Sequence, residues 1–365
     1  MKFTATKSDI VEAARAVASI VPKNPSVSLL GNLLLEIIGD DLKLTGSDFE
    51  TWVCVKVPVK VSTSGETTVP SKIFTDLVTN LPGDEVTFSM DGESQMVMTS
   101  SNAKMTLNCS SATDYPRAPK ILSGDTIKLD KETLVDIVEK VTPALSDRME
   151  DRRELLGALV SVANAKLSLV GTDGQRLSIC EIPVPGTSDL EAIVAGTVWR
   201  NLTKLIGNVT GGEIKLTFSP TQVSFAIGNV EVVSRLIEGD YPPFRQVVPT
   251  KFEYKVIVDS KVLLSALTRV NIIVSSGSRK VTLIARDSQL ICKGIAPEIG
   301  EVEEKIEAQT DGADVELSFD IRKLIDGIKV ASSPAVQINI NGPLHPVLIQ
   351  PEGDDSFRYI LVTSR

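Results

Sequence analysis

The chain is 365 residues long, 42% hydrophobic and 23% charged, a composition that fits two or three folded domains and excludes a largely disordered protein. Thirty-eight Lys and Arg against 47 Asp and Glu leave a net charge of −9, so no broad basic field covers the molecule and any nucleic-acid surface must be confined to one face. His345 is the only histidine, which removes the material for a histidine metal cluster or a Ser-His-Asp triad.

At the N-terminus, Phe3-x-Ala5 has the form of a short strand, and Ile10, Val11, Ala14 and Val17 form the apolar stripe of a helix after it. No apolar leader precedes them, and the densest apolar stretch, Leu33 to Ile38, is broken by Glu36, so neither secretion nor a membrane span is expected. Ile73, Phe74 and Leu77 mark a second helix, and the alternation Val86/Phe88/Met90 marks a strand that runs into the turn Asp91-Gly92.

The same order then returns twice. Ile127-x-Leu129 precedes Leu134, Val135, Val138 and Val141, then come Val198, Trp199 and Leu202, and Ile214/Leu216/Phe218 run into Ser219-Pro220. Val256-x-Val258 precedes Leu263, Leu264, Leu267 and Val270, followed by Leu324, Ile325 and Ile328, and Val336/Ile338/Ile340 run into Asn341-Gly342. Asp114-Tyr115-Pro116 recurs as Asp240-Tyr241-Pro242 and closes the first and second copies, which places three similar domains at 1–122, 123–250 and 251–365. Each would pack two helices on one face of antiparallel sheets, an α+β architecture.

Little in the chain points to catalysis. Neither a Gly-x-x-x-x-Gly-Lys-Ser/Thr phosphate loop nor a Gly-x-Gly-x-x-Gly fingerprint is present, and Gly211-Gly212 reads as a turn between a helix and a strand. Cys54, Cys109, Cys180 and Cys292 lie far apart without a Cys-x-x-Cys pair, which fits buried, reduced thiols in a cytoplasm. Glu298, Glu301, Glu303, Glu304 and Glu307 offer oxygens for a divalent cation, but a run of like charge is better explained as a solvated strand or a contact surface. His345 has no Cys, Asp or Glu spaced for ligation and reads as a surface or pocket-rim residue. Segments 70–80, 196–206 and 320–330 carry six basic and three acidic side chains, while 7–19, 130–141 and 259–270 sum to −1. Helices that are net positive in an acidic chain have the sign needed to face a polyanion.

Several stretches together carry a resemblance. Met1-Lys2-Phe3-Thr4, Gly31-Asn32-Leu33-Leu34-Leu35, Leu42-x-Leu44-Thr45-Gly46-Ser47-Asp48, Thr68-Val69-Pro70, Gly171-Thr172-Asp173-Gly174-Gln175-Arg176-Leu177 and Gly239-Asp240-Tyr241-Pro242 resemble the bacterial DNA polymerase III beta subunit, the sliding-clamp family, in register over the whole chain. The resemblance implies a head-to-tail homodimeric ring of the DNA clamp fold. Helices would line the hole, sheets would form the rim, and double-stranded DNA would be encircled independently of sequence. It further implies a non-enzymatic cytoplasmic processivity factor in DNA replication, with no cofactor. The replicative DNA polymerase, the clamp loader and repair proteins would bind through short peptide motifs.

Carried over position by position, the resemblance puts the partner-peptide pocket at Leu155, Thr172, Gly174, Gln175, Arg176, Leu177, Pro242, Val247, Pro346, Ile360, Leu361 and Val362. The apolar members suit a peptide's Leu or Phe anchors, and Arg176 is expected to orient the peptide. Lys23, Arg148, Arg152, Arg153, Arg200 and Lys204 are the expected DNA-facing cations. For the dimer interface it implies Met105 and Leu107 against Ile272 and Ile273 of the other subunit, framed by Glu298, Glu301, Glu303 and Glu304 with basic residues such as Lys72 and Lys104. The chain departs from the family at Val362-Thr363-Ser364, where Met-Pro and an aliphatic are usual, and at Asn24, Val198 and Gln246, where basic residues can occur. The reading from another class is a repeat-built scaffold that binds peptides and never encircles DNA.

Overall fold

The computed structural model describes residues 1–148, 152–207, 209, 212–342 and 345–364. The first third builds β1 (Lys2–Thr6), α1 (Lys7–Ala18), β2 (Asn32–Ile38), β3 (Asp41–Ser47), β4 (Thr51–Pro58), β5 (Lys60–Thr63), β6 (Glu66–Pro70), α2 (Ser71–Asn80), β7 (Glu85–Asp91), β8 (Gln95–Ser100) and β9 (Ala103–Asn108). The middle third builds β10 (Asp125–Asp130), α3 (Lys131–Val141), β11 (Gly157–Ala163), β12 (Lys166–Thr172), β13 (Arg176–Pro183), β14 (Leu190–Ala195), α4 (Gly196–Gly207), β15 (Glu213–Phe218), β16 (Gln222–Ile227) and β17 (Val230–Ile237). The last third builds β18 (Tyr254–Asp259), α5 (Ser260–Val274), β19 (Lys280–Arg286), β20 (Gln289–Ala296), β21 (Gly300–Glu307), β22 (Gln309–Asp311), β23 (Val315–Asp320), α6 (Ile321–Ala331), β24 (Ala335–Ile340), β25 (Val347–Pro351) and β26 (Phe357–Leu361). One run of strand, helix, four strands, helix and three strands is therefore made three times, with β5 and β22 as short additions. The fold is α+β, as expected.

Three helices, α3, α5 and α6, begin where a strand ends on an aspartate that caps them. Asp130 accepts from the amide of Thr133 (2.7 Å), Asp259 from that of Val262 (2.9 Å), and Asp320 from those of Arg322 (2.9 Å) and Lys323 (3.2 Å). These three carboxylates fall inside the charge windows of the sequence analysis yet belong to caps. The six helix bodies hold twelve basic and seven acidic side chains, a net +5 instead of +2. The buried stripes also shift by a fraction of a turn. Ala13, Ile137 and Ala266 complete the buried faces, while Val11, Val135 and Leu264 lie half-buried at their flanks. α5 runs one turn past the expected end near residue 270, so Ile272 and Ile273 are helical.

The chain divides into two compact units, Met1–Thr133 with Thr197–Leu236 and Leu134–Gly196 with Ile237–Arg365, so each takes part of the middle third. In the first unit β5-β1-β7-β8-β9 form one antiparallel sheet, and β6-β2-β3-β4-β17-β16-β15-β10 form another. In the second unit β14-β11-β12-β13-β26-β25-β24-β18 repeat that strand order, and β23-β19-β20-β21 form a smaller sheet. The pairs β4–β17 and β13–β26 thus join successive copies of the repeat. Their counterparts in the repeat, β21 and β9, are outer strands of their sheets.

Helices lie close on these sheets because glycine sits beneath them. A Cβ at Gly46 would stand 2.2 Å from the Val17 carbonyl oxygen, and one at the equivalent Gly171 would stand 2.9 Å from that of Val141. The first copy's core stacks Phe3 on Phe88 at 4.7 Å between ring centres, with Phe74 of α2 tilted against Phe88 at 6.1 Å. All four cysteines are buried and free, and burial pushes the Cys292 thiol up to about 12 and the Cys180 thiol up to about 11. His345 is exposed, and the acidic run lies on β21 and, for Glu298, in the turn before it, with its glutamates mostly solvated. Of the expected Gly211-Gly212 turn, Gly211 lies outside the described residues, and Gly212 has φ +113. Among the described residues no helix is long and apolar enough to cross a membrane.

Candidate functional site

In the second unit, β13 and β26 pair with Arg176 opposite Leu361 and Leu177 opposite Ile360. The turn leading into β13 is built by its own side chains. The Thr172 hydroxyl donates to the Arg176 carbonyl (2.6 Å) and accepts from the Gly174 amide (3.1 Å), while Asp173 Oδ1 accepts from the amides of Gln175 (2.9 Å) and Arg176 (3.0 Å). Gly174 takes φ +83, where a side chain would be strained. Across the junction, the Val362 amide donates to the Gln175 carbonyl (3.1 Å).

The twelve residues assigned to the pocket separate into a floor and a rim. Leu177, Ile360 and Leu361 are almost fully buried, and the first two belong to a core cluster with Leu159, Val170, Phe244 and Leu348. Val247 (54% exposed) and Val362 (40%) stand out into solvent above it with Gly174 and Gln175, while Leu155, Pro242 and Pro346 are half-buried. Phe244 was not picked out from the sequence. It is buried at the start of the short 3-10 turn that ends at Val247, and the Arg245 guanidinium lies 4.7 Å from its ring centre. Its one signal in the sequence is position, two residues after the Asp240-Tyr241-Pro242 repeat.

Arg176 departs from the expected role. Its Nε donates to Asp173 Oδ2 (3.1 Å) and its Nη1 to Asp326 Oδ2 of α6 (2.7 Å), with only 13% of the side chain exposed. Lys323 Nζ donates to the same Asp173 oxygen (2.9 Å) and to Gln175 Oε1 (2.6 Å), and the Tyr359 hydroxyl donates to the Lys323 carbonyl (2.9 Å). Burial works against the Asp173 carboxylate, yet the Lys323 hydrogen bond, the Gln175 amide and the charges of Lys323 and Arg176 outweigh it and hold its pKa below the usual range. The Arg176 guanidinium is correspondingly held protonated despite its own burial. Arg176 therefore fixes the turn to α6, and the exposed polar rim is Gln175, its Oε1 held by Lys323, with the backbone of the turn.

The other predicted groups fall on the surface. Lys23, Arg148, Arg152, Arg153, Arg200 and Lys204 are all exposed, with Arg200 and Lys204 on the polar face of α4. Arg152 reaches the Asp240 carbonyl (3.4 Å). In the first unit a groove of about 870 Å³ runs between α1 and α4, lined by Asp9, Glu12, Arg15, Asn201 and Lys204 over Val55 and Val230. On the outer strands, Met105 is half-buried and Leu107 buried on β9, while Ile272 is 69% exposed and Ile273 half-buried on α5. Ile73 of α2, expected in a buried stripe, is 51% exposed. Glu298 and Glu301 are exposed and Glu303 lies 3.8 Å from Lys305, but Glu304 is held by Arg269 of its own chain through two hydrogen bonds (2.6 and 2.5 Å).

Comparison with known proteins agrees with the repeat. Profiles of the DNA polymerase III beta subunit match in succession: the N-terminal domain over residues 1–119, the central domain over 128–243 and the C-terminal domain over 245–365. The chain is 25% identical over 376 aligned residues to the beta sliding clamp of Staphylococcus aureus, covering 100% of this chain and 99% of that one. Its fold superposes on the DNA polymerase sliding clamp of Bacillus subtilis with a TM-score of 0.96 at 24% identity, covering 100% of this chain and 99% of that one. It also superposes on the DNA polymerase III beta subunit of Thermotoga maritima with a TM-score of 0.92 at 25% identity, again covering 100% and 99%. With all three domain profiles matched in order along its length, the chain belongs to the DNA polymerase III beta subunit family.

Proposed function

We propose that the chain is a DNA sliding clamp of three repeat domains, 1–122, 123–250 and 251–365, and that two copies close head to tail into a ring around duplex DNA. One observation carries this reading. The repeat joins successive copies through β4–β17 and β13–β26, and the same positions in the series, β21 and β9, are left as outer strands. A second chain supplies the missing partner twice over, β9 of one copy to β21 of the other, which removes both open edges. Met105, Leu107, Ile272, Ile273 and Ile73 then lie at the closure. Lys104 on β9 against Glu301 and Glu303 on β21 supplies charge of opposite sign that sets orientation.

Helices carrying a net +5 in a chain of net −9 face the phosphates, with Arg200 and Lys204 as the foremost contacts and Lys23, Arg148, Arg152 and Arg153 as further ones. Tethering needs no bond made or broken, so the chain works by topology in the cytoplasm and supplies no catalytic group. The rim of Val247, Val362 and Gln175 above the core of Phe244, Leu177 and Ile360 receives short peptide segments of the polymerase, the clamp loader and repair proteins, with apolar anchors supplying most of the free energy.

The deciding experiment loads the protein with a clamp loader onto nicked circular DNA and then linearises the circle. A ring stays on the circle and slides off the free ends. Equal retention on both forms overturns the ring.

A further inference from the structure

Much of the backbone frame of the second unit's pocket is built a second time in the first unit, through four matching hydrogen bonds. Asp48 N donates to the Thr51 carbonyl (3.2 Å) as Asp173 N does to that of Arg176 (3.4 Å), and Ser47 Oγ accepts from Phe49 N (3.0 Å) as Thr172 Oγ1 does from Gly174 N (3.1 Å). Arg235 N donates to the Glu50 carbonyl (2.9 Å) as Val362 N does to that of Gln175 (3.1 Å). The Tyr115 hydroxyl donates to the Thr45 carbonyl (3.3 Å) as that of Tyr241 does to Val170 (3.2 Å).

The side chains placed on this duplicate frame differ in a way that packing does not explain. Where the second unit uses Gly174 at φ +83, the first carries Phe49 at φ +76, a backbone conformation that a bulky aromatic adopts only under strain. Little burial offsets that strain, because Phe49 is 42% exposed. Leu122, seven residues after Tyr115, is 91% exposed, whereas Val248, seven residues after Tyr241, packs on the core cluster. Trp52 replaces Leu177 and is itself buried, its Nε1 donating to the Pro116 carbonyl (3.0 Å), so a bulkier side chain fills the position of Leu177. Glu50 beside Phe49 is 67% exposed, and its ion pair with Arg235 is long at 3.7 Å, which leaves the carboxylate open to another cation.

We propose that the turn between β3 and β4 is a second peptide-docking site of the chain, at which Phe49 takes the apolar anchor of a short extended segment and Glu50 takes a Lys or Arg next to that anchor. The occupant's class follows from the duplicated frame, and so rests on the peptide-pocket reading above. Its basic residue follows from the charge at the turn, where the second unit has the neutral Gln175. Strain at Phe49 is the cost of presenting an aromatic outward from a position at which glycine would be neutral.

The test uses the full chain and a fluorescein-labelled peptide Ser-Lys-Leu-Phe-Ser, with stoichiometry by calorimetry and affinity by anisotropy. The unmodified chain binds two peptides per chain. Phe49→Gly binds one and melts at a higher temperature, because the strain is released and the anchor lost. Val247→Glu, which disables the pocket of the second unit, leaves one peptide bound, and that one is lost on adding Phe49→Gly. Replacing the peptide's Lys by Glu weakens only the site that Phe49→Gly removes. If Phe49→Gly leaves the stoichiometry and affinity unchanged, the second site is refuted. A lowered melting temperature with unchanged binding makes Phe49 a packing residue and refutes it too. If Val247→Glu changes nothing while Phe49→Gly removes all binding, the pocket of the second unit is wrong and this site stands.

Discussion

Asp173 holds three things at once: its own turn, Arg176 and Lys323 of α6. Its carboxylate titrates lower in the folded chain than in the unfolded one, so it stabilises the fold fully above the unfolded carboxylate range, near about 3.9, and loses that contribution as the pH falls through the lower folded value. Asp173→Asn keeps an acceptor for the turn amides and removes the charge from a side chain only 13% exposed. The expected cost is about 1–3 kcal/mol at pH 7, read by urea unfolding, and the gap between variant and unmodified chain narrows as the pH falls below the unfolded carboxylate range, near about 3.9. A gap that stays constant from pH 3 to pH 7 rules the charge out as its source. None of this network was legible in the sequence, since Asp326 lies 150 residues from Arg176 and nothing local marks the pair. The turn itself was legible in its Thr-Asp-Gly run, because Asx turns are made by neighbours.

At the scale of elements, the helix stripes and the alternating strands were visible because 3.6-residue and two-residue periods survive in any context. Which strand pairs with which across copies was invisible. β13 and β26 find one another over some 180 residues, and register at that range is set by the folded frame alone. The last turn of α5 carries the helix through Ile272 and Ile273 because no helix stop precedes Ser275-Ser276-Gly277. Two tests belong here. Gly46→Ala puts a methyl group into the Val17 carbonyl and is expected to cost about 1–3 kcal/mol in urea unfolding as α1 is pushed off β3. Gly171→Ala, with its wider 2.9 Å approach, is expected to cost less, and the reverse order would mean that helix seating is not what these glycines secure. Ile272→Asp places a charge on the most exposed of the closure residues, so sedimentation is expected to show a dimer for the unmodified chain and a folded monomer for the variant. A variant that remains dimeric moves the closure away from α5.

For the whole molecule, charge matters more than any one contact. An acidic protein that holds DNA does so through cations gathered on its helices, and the capping role of Asp130, Asp259 and Asp320 leaves those helices more basic than the sequence windows indicate. Reversing Arg200 and Lys204 together is expected to lower the slope of log affinity against log salt by about 2 for loader-free DNA binding, in equal measure on unrelated sequences. The same change is expected to shorten the products of a tethered polymerase. An unchanged slope removes α4 from the DNA face.

The pairing of β4 with β17 also governs how the chain can be made. β4 leaves the ribosome about 170 residues before β17 does, and β13 precedes β26 by a similar stretch. At roughly 5–20 residues per second, each edge stands open for about ten to thirty seconds while its partner is still being translated. β4 reads Thr51-Trp52-Val53-Cys54-Val55-Lys56-Val57-Pro58, an almost continuous β-forming apolar segment interrupted by one lysine. During that interval β4 has β3 on one side and an open edge on the other, and Lys56, exposed in the finished fold, is a charge of the kind that blunts such an edge.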